Sequence, residues 1–235
     1  MIEWDEFDAQ ARTLVAVLNA SEARRGTGAL WRYVPARSTN DSYLRRSPTP
    51  IRIPDASPVT VDVDGTCDLS DDLNDDDDDD DGESDPAVAL QQTPEVPAPG
   101  WTAAQCEWHV LWSSAFRVPV VHYSLAAADG SALAFAAELA HADRLAAAHG
   151  GPQTLDSTPT GAAAYITSGE HPVLGAPFWF LHPCRTAAAM DRLAALAAAH
   201  GTPADTWRRT HYLAAWLSWA APMVGLTVDV SQAFL

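Results

Sequence analysis

The stretch Glu170-His171-Pro172-Val173-Leu174-Gly175-Ala176-Pro177-Phe178-Trp179-Phe180-Leu181-His182-Pro183-Cys184-Arg185-Thr186 is the most informative in the chain. Phe178 to Leu181 reads as a short aromatic strand and His182-Pro183 as a corner. Ala187 to His200, rich in alanine and followed by Gly201, reads as a helix. This order leaves Cys184 at the mouth of a helix, with Arg185 beside it and Thr186 placed as the helix cap. Free amides, the positive end of the helix dipole and a guanidinium all favour a thiolate, so the pattern predicts a lowered thiol pKa and a nucleophilic sulfur. The competing reading is a packed, inert cysteine, the usual fate of a free thiol. His182 is a candidate base, but with a proline between them the two side chains need not face one another. Its alternative role is to hold the turn by bonding its ring to backbone.

Working outward, Ile2 to Leu18 places Trp4, Phe7, Ala11, Leu14, Val15 and Leu18 at spacings of three and four, the stripe of an amphipathic helix. Glu3, Asp5, Glu6 and Asp8 crowd its start, where they suit the helix dipole and would repel an anionic membrane. Trp31 to Val34 and Asp41 to Arg45 read as two early strands. Trp108, Val110 and Trp112 alternate along a third, and Arg117 to Leu125 reads as a fourth, with Pro119 implying an edge or bulge. Asp129-Gly130 signals a turn, and Leu139 to His149 a helix stopped by Gly150-Gly151-Pro152. A last helix is expected to start with Asp205 as N-cap, to carry Tyr212, Trp216 and Trp219 inward, and to end before Pro222.

The chain has 235 residues, 47% of them hydrophobic, enough for a substantial core. Its net charge of −17 is local: residues 62–95 hold 15 of the 31 acidic residues and none of the 14 cations, all of which are Arg. The rest is nearly neutral, which argues against a nucleic-acid binder. Prolines and the Asp75 to Asp81 run make the segment 47–100 read as an acidic disordered linker or insertion. It separates an N-terminal part, 1–46, from a larger part, 101–235. Cys67, Cys106 and Cys184 are odd in number and too dispersed for a disulfide framework or a zinc knuckle. His109, His122 and His171 lack partners at metal-ligand spacing and read as structural, so neither metal nor cofactor is expected. The cysteine usage and the acidic start, unlike a secretory signal, fit a cytoplasmic protein. The uncharged run Thr210 to Val228 contains His211, Ser218 and Pro222 and is read as buried core, not as a membrane span.

Several of these segments together carry a family resemblance: Trp108 to Val120, Glu170 to Phe178, Leu181-His182-Pro183-Cys184-Arg185-Thr186, Trp216-Leu217-Ser218, and Pro222 to Leu226. In this order they resemble the autophagy E2-like conjugating enzymes over about Trp101 to Leu226, with a weaker echo in the first helix and Trp31 to Leu44. The His-Pro-Cys corner with its helix is the specific part, and the acidic linker has no counterpart. The resemblance implies an α+β, divergent ubiquitin-conjugating fold, with an N-terminal helix, a curved antiparallel sheet and helices after the cysteine.

The resemblance also implies two acyl transfers. An E1-like enzyme, autophagy-related protein seven, passes the ubiquitin-like modifier autophagy-related protein twelve to the E2 cysteine. The E2 then hands it to a lysine of autophagy-related protein five. By motif Cys184 takes the catalytic role. A low-pKa sulfur is both nucleophile and leaving group, which such transfers require. Ordinary ubiquitin E2 enzymes support the oxyanion with an Asn in a His-Pro-Asn motif that is missing here; Tyr165 and Thr167 are candidates by location only. The rivals are a sister enzyme that conjugates another modifier to lipid, disfavoured by the acidic first helix, a cysteine hydrolase, and a non-catalytic scaffold.

Overall fold

The computed structural model describes residues 1–36, 41–55, 100–148 and 165–234. Helix α1, Trp4–Arg25, opens with the Glu3 amide donating to the Glu6 carboxylate at 3.1 Å and closes at Gly26, whose φ of 64° is the left-handed conformation glycine adopts at little cost. The predicted stripe is its buried face: Phe7, Ala11, Leu14 and Leu18 enter the core.

Six strands follow: β1 Trp31–Val34, β2 Tyr43–Pro54, β3 Trp101–Ser113, β4 Val118–Ala127, β5 Ile166–Glu170 and β6 Pro177–Leu181. They form one antiparallel sheet in the order β1-β2-β3-β4-β6-β5. Helix α2, Phe135–Ala148, lies between β4 and β5. After β6 a 3-10 turn, Pro183–Arg185, leads into α3, Thr186–Ala199, then α4, Ala204–Thr210, and α5, Tyr212–Ala220. One sheet face, bearing Trp108, Val110, Val121, Tyr123, Trp179 and Leu181, packs with α1 and α5. The architecture is the α+β class expected from the sequence.

Two readings need correction. The segment read as linker from residue 47 begins as strand, since β2 continues to Pro54 and pairs with β3 as far as Trp101. Its prolines are compatible because β1 reaches only to Arg46, so beyond that point β2 is an edge. Pro50 and Pro54 share one parity, and their missing amides can all fall on the unpaired side. The acidic run and Cys67 lie outside the described residues. The described residues on either side of the segment 56–99 thus contribute to a single sheet and core.

The final helix is two helices. Asp205 sits in the first turn of α4 and Pro203 occupies the cap position. The break at His211 leaves backbone groups that α1 satisfies. The Gln10 side chain donates to the Arg208 carbonyl and accepts from the Leu213 amide, both at 2.8 Å. Tyr212 and Trp216 are buried as expected, Trp219 half-buried. Pro119 is accommodated because β4 meets β6 only at His122 and Tyr123, leaving its start unpaired on that side. No helix among the described residues is long and apolar enough to cross a membrane.

Candidate active site

Cys184 occupies the corner between β6 and α3 and is exposed, whereas Cys106 is fully buried in β3 with its thiol pushed well up by burial. Of these two sulfurs only Cys184 is open to a macromolecular partner. The corner is shaped by His182. Its Nδ1 accepts the Cys184 amide at 3.2 Å, and its own amide donates to the Tyr165 carbonyl at 2.7 Å, across the β5–β6 hairpin. The ring therefore caps the turn that carries Cys184, the role of holding the turn by a bond to backbone. With Nδ1 accepting, a neutral ring carries its proton on Nε2.

Thr186 is not the cap. It is buried at the first position of α3, its amide donates to the Pro183 carbonyl, and Arg185 occupies the N-cap position without a side-chain bond. The tight 3-10 turn and the imidazole at its start satisfy groups that an N-cap hydroxyl was expected to serve. The Arg185 guanidinium stacks over the Tyr165 ring, 4.8 Å from its centroid. Its charge is held against an aromatic face, and the stack anchors the start of α3 to the residue before β5. Thr167, on β5 opposite Phe180, is exposed.

Two features escaped the sequence reading. Phe116, in the β3–β4 turn, meets His182 edge-on with centroids 5.6 Å apart while remaining 44% exposed. The next residue, Arg117, adopts a φ of 51°, unusual for a side-chain-bearing residue. Its amide donates to Ser113, its carbonyl accepts from Ile2, and its guanidinium pairs with Glu3. An apolar ring thus borders the corner on the side away from Tyr165. The second feature is a buried histidine group, His109, His122 and His171, in the sheet face opposite the helices. The sequence places these residues on separate strands and a loop, and nothing local signals that they meet.

Among the described residues no cluster of His, Cys, Asp or Glu is arranged to hold a metal ion. The arrangement is an exposed thiol on a His182-capped turn that leads into a helix, flanked by Phe116 and by the Tyr165–Arg185 stack. Such a site suits chemistry in which a bound partner delivers the activated group.

The fold sets an exposed thiol at a strand–proline–helix corner of an open antiparallel sheet that carries an N-terminal helix. The profile of the family described as "Autophagocytosis associated protein, active-site domain" matches residues 6–231, and the chain belongs to that family. Two curated relatives are similar to it, each named ubiquitin-like-conjugating enzyme ATG10. The human protein is 31% identical over 129 residues, 54% of this chain and 51% of its own length. The Dictyostelium discoideum protein is 28% identical over 125 residues, 52% of this chain and 51% of its own. The aligned region spans about half the length of the curated relatives.

Proposed function

We propose that the protein is an E2-like conjugating enzyme of autophagy with Cys184 as its acyl carrier. The observation that carries this reading is the exposed Cys184 on the His182-capped corner within a family active-site domain. In the first step the Cys184 sulfur attacks the thioester carbonyl joining an E1-like enzyme, autophagy-related protein seven, to the modifier, autophagy-related protein twelve. A new carbon–sulfur bond forms and the E1 thiolate leaves. In the second step the neutral amine of a lysine on autophagy-related protein five attacks the same carbonyl. An isopeptide bond forms, the Cys184 thiolate departs and the amine proton passes to solvent. Both steps depend on placing two reacting groups together more than on a strong base, which agrees with an imidazole committed to backbone.

The lipid-conjugating alternative would use an amphipathic first helix against a membrane. Here the apolar face of α1 is buried in the core and its first turn is acidic. The test is to mix the protein with the E1-like enzyme, ATP and each modifier, and to run the products on a non-reducing gel. A thiol-sensitive adduct with modifier twelve, then its transfer to acceptor five, is the expected result. An adduct with the other modifier alone would transfer the protein to the lipid branch, and no adduct with either would end the reading.

A further inference from the structure

The hairpin that presents Cys184 is weakly joined to the sheet. Strand β4 pairs with β3 along its length, from Ala104↔Ala127 to Ser113↔Val118, but meets β6 only at His122↔Phe180 and Tyr123↔Trp179. Register over so short a ladder is poorly specified by strand pairing, so another contact must hold the hairpin in place.

Beside the core seating of Trp179 and Leu181, a polar contact lies at the other end of the hairpin, in the turn between β5 and β6. His171 is fully buried there, within ring-contact distance of His109, His122, Phe178 and Tyr43. Its Nδ1 accepts the amides of Val173 and Leu174 at 3.2 and 3.1 Å. A nitrogen facing two donors must be unprotonated, so the proton of the neutral ring is on Nε2. Nε2 lies 2.8 Å from His109 Nδ1, which must then be the acceptor. The remaining proton of His109, on Nε2, points to the Glu107 carboxylate at 2.8 Å. Glu107 in turn pairs with Arg45 on β2. The chain of donors runs one way, from the turn amides through two imidazoles to the Glu107 carboxylate on β3, which the Arg45 guanidinium on β2 meets as a donor from the other side. Adding a proton to either ring sets two donors face to face and breaks it. Burial first, then the neighbouring His109 and His122, holds His171 at about 3, which keeps the ring neutral near neutral pH.

We infer that the His171–His109–Glu107 chain is the latch that registers the β5–β6 hairpin on the sheet, making His171 a positioning residue for the Cys184 thiol. The inference rests on the proposed function only where it treats Cys184 as the reacting sulfur. Its ordering effect is measurable without any modifier.

The test uses the full chain carrying Cys67→Ser, so that Cys184 is the accessible thiol. His171→Asn keeps an oxygen able to accept the two turn amides and deletes the donor to His109. His109→Phe keeps an aromatic ring in the packing and deletes the acceptor for His171 Nε2, and serves as the second variant if the first does not fold. Both are expected to speed amide exchange in residues 166–181 at least about ten-fold while α1 and α5 are unchanged. The alkylation rate of Cys184 should shift at least about three-fold. Nitrogen NMR of the parent should show both rings as Nε2–H tautomers at neutral pH, and thioester formation should lose kcat at an unchanged KM for the E1. Unchanged hairpin exchange, a rise spread equally into α1, an unaltered Cys184 rate, or an Nδ1–H tautomer on either ring would overturn the latch. A parent that shows the latch but forms no thioester sinks the conjugating-enzyme reading instead.

Discussion

Asp55 and Gly100 close the free end of the β2–β3 ladder: the Asp55 amide donates to the Gly100 carbonyl at 3.0 Å, one step beyond the Pro54↔Trp101 pair. The chain between them therefore leaves and re-enters the sheet at one point, where a hairpin turn would serve. Replacing residues 56–99 by Asn-Gly should preserve the fold and stabilise it by roughly 1–3 kcal/mol through the shorter closure. Removing only Asp75 to Asp81 should leave the melting temperature nearly unchanged. Calorimetry checks both, and a drop of many degrees would mean that the segment packs on the domain.

Glu22 is a position where a single change should be costly. It is only 3% exposed, and its carboxylate accepts from Arg46 at 2.8 Å, Trp31 Nε1 at 3.2 Å, Arg25 at 2.8 Å and Thr27 at 2.5 Å. Burial alone would raise its pKa, but the bond from Arg46, with Thr27 and Arg25, holds it below the usual value. Glu22→Ala strands the buried Arg46 charge and should cost about 3–5 kcal/mol in a urea titration. Replacing Glu22 and Arg46 together with apolar residues should recover part of that loss.

Acid should destabilise the fold through its buried imidazoles. Burial, then His109, lowers His122 to about 4; burial, then Arg144, lowers His141 to about 4; His171 lies lower still. The ordinary value is 6.5, so between that pH and about 4 the unfolded chain binds protons that the folded one refuses. Stability is complete above pH 6.5 and falls as pH drops through this window, by up to about 1.4 kcal/mol per pH unit for each ring. His122→Leu should flatten that slope by one ring's share, as urea midpoints measured across the window would reveal.

His182 should tolerate one replacement and not another. Asn can present an oxygen to the Cys184 amide where the imidazole presents Nδ1, while Ala leaves that amide without its partner. His182→Ala should lower stability by about 1 kcal/mol and slow thioester formation, with His182→Asn closer to the parent in both. Equal loss in the two variants would point to a role for the ring beyond capping.

Cys184→Ser should either trap the modifier as a reductant-resistant ester or form no adduct, because an alkoxide is a poorer leaving group than a thiolate. Cys67→Ser and Cys106→Ser should keep the reductant-sensitive adduct and transfer to the acceptor. Conjugation at the parent rate by Cys184→Ser would move the acyl group to another residue.

The legible parts of this protein were those written in short stretches of chain. The α1 stripe, the alternation of Trp108 and Val110, and the strand–proline–cysteine–helix order around Cys184 each lie within a few turns, where backbone period and dihedral preference suffice. Residues 47–54 were misread because a proline is admissible in a strand only on an unpaired side, and where β1 ends cannot be seen from β2. Thr186 was misread as a cap because His182 supplies the bond at the corner, a choice that depends on how the turn folds. The split between α4 and α5 depends on Gln10, whose bond to Leu213 spans 203 residues, and the latch depends on His109 and His171, 62 residues apart. Such pairings are set by which strands neighbour one another and which faces are buried. An isolated histidine carries the same letters whether it ends as a ligand, a cap or a link in a hydrogen-bonded chain. Its chemistry follows from the donors and acceptors that the sheet brings to it.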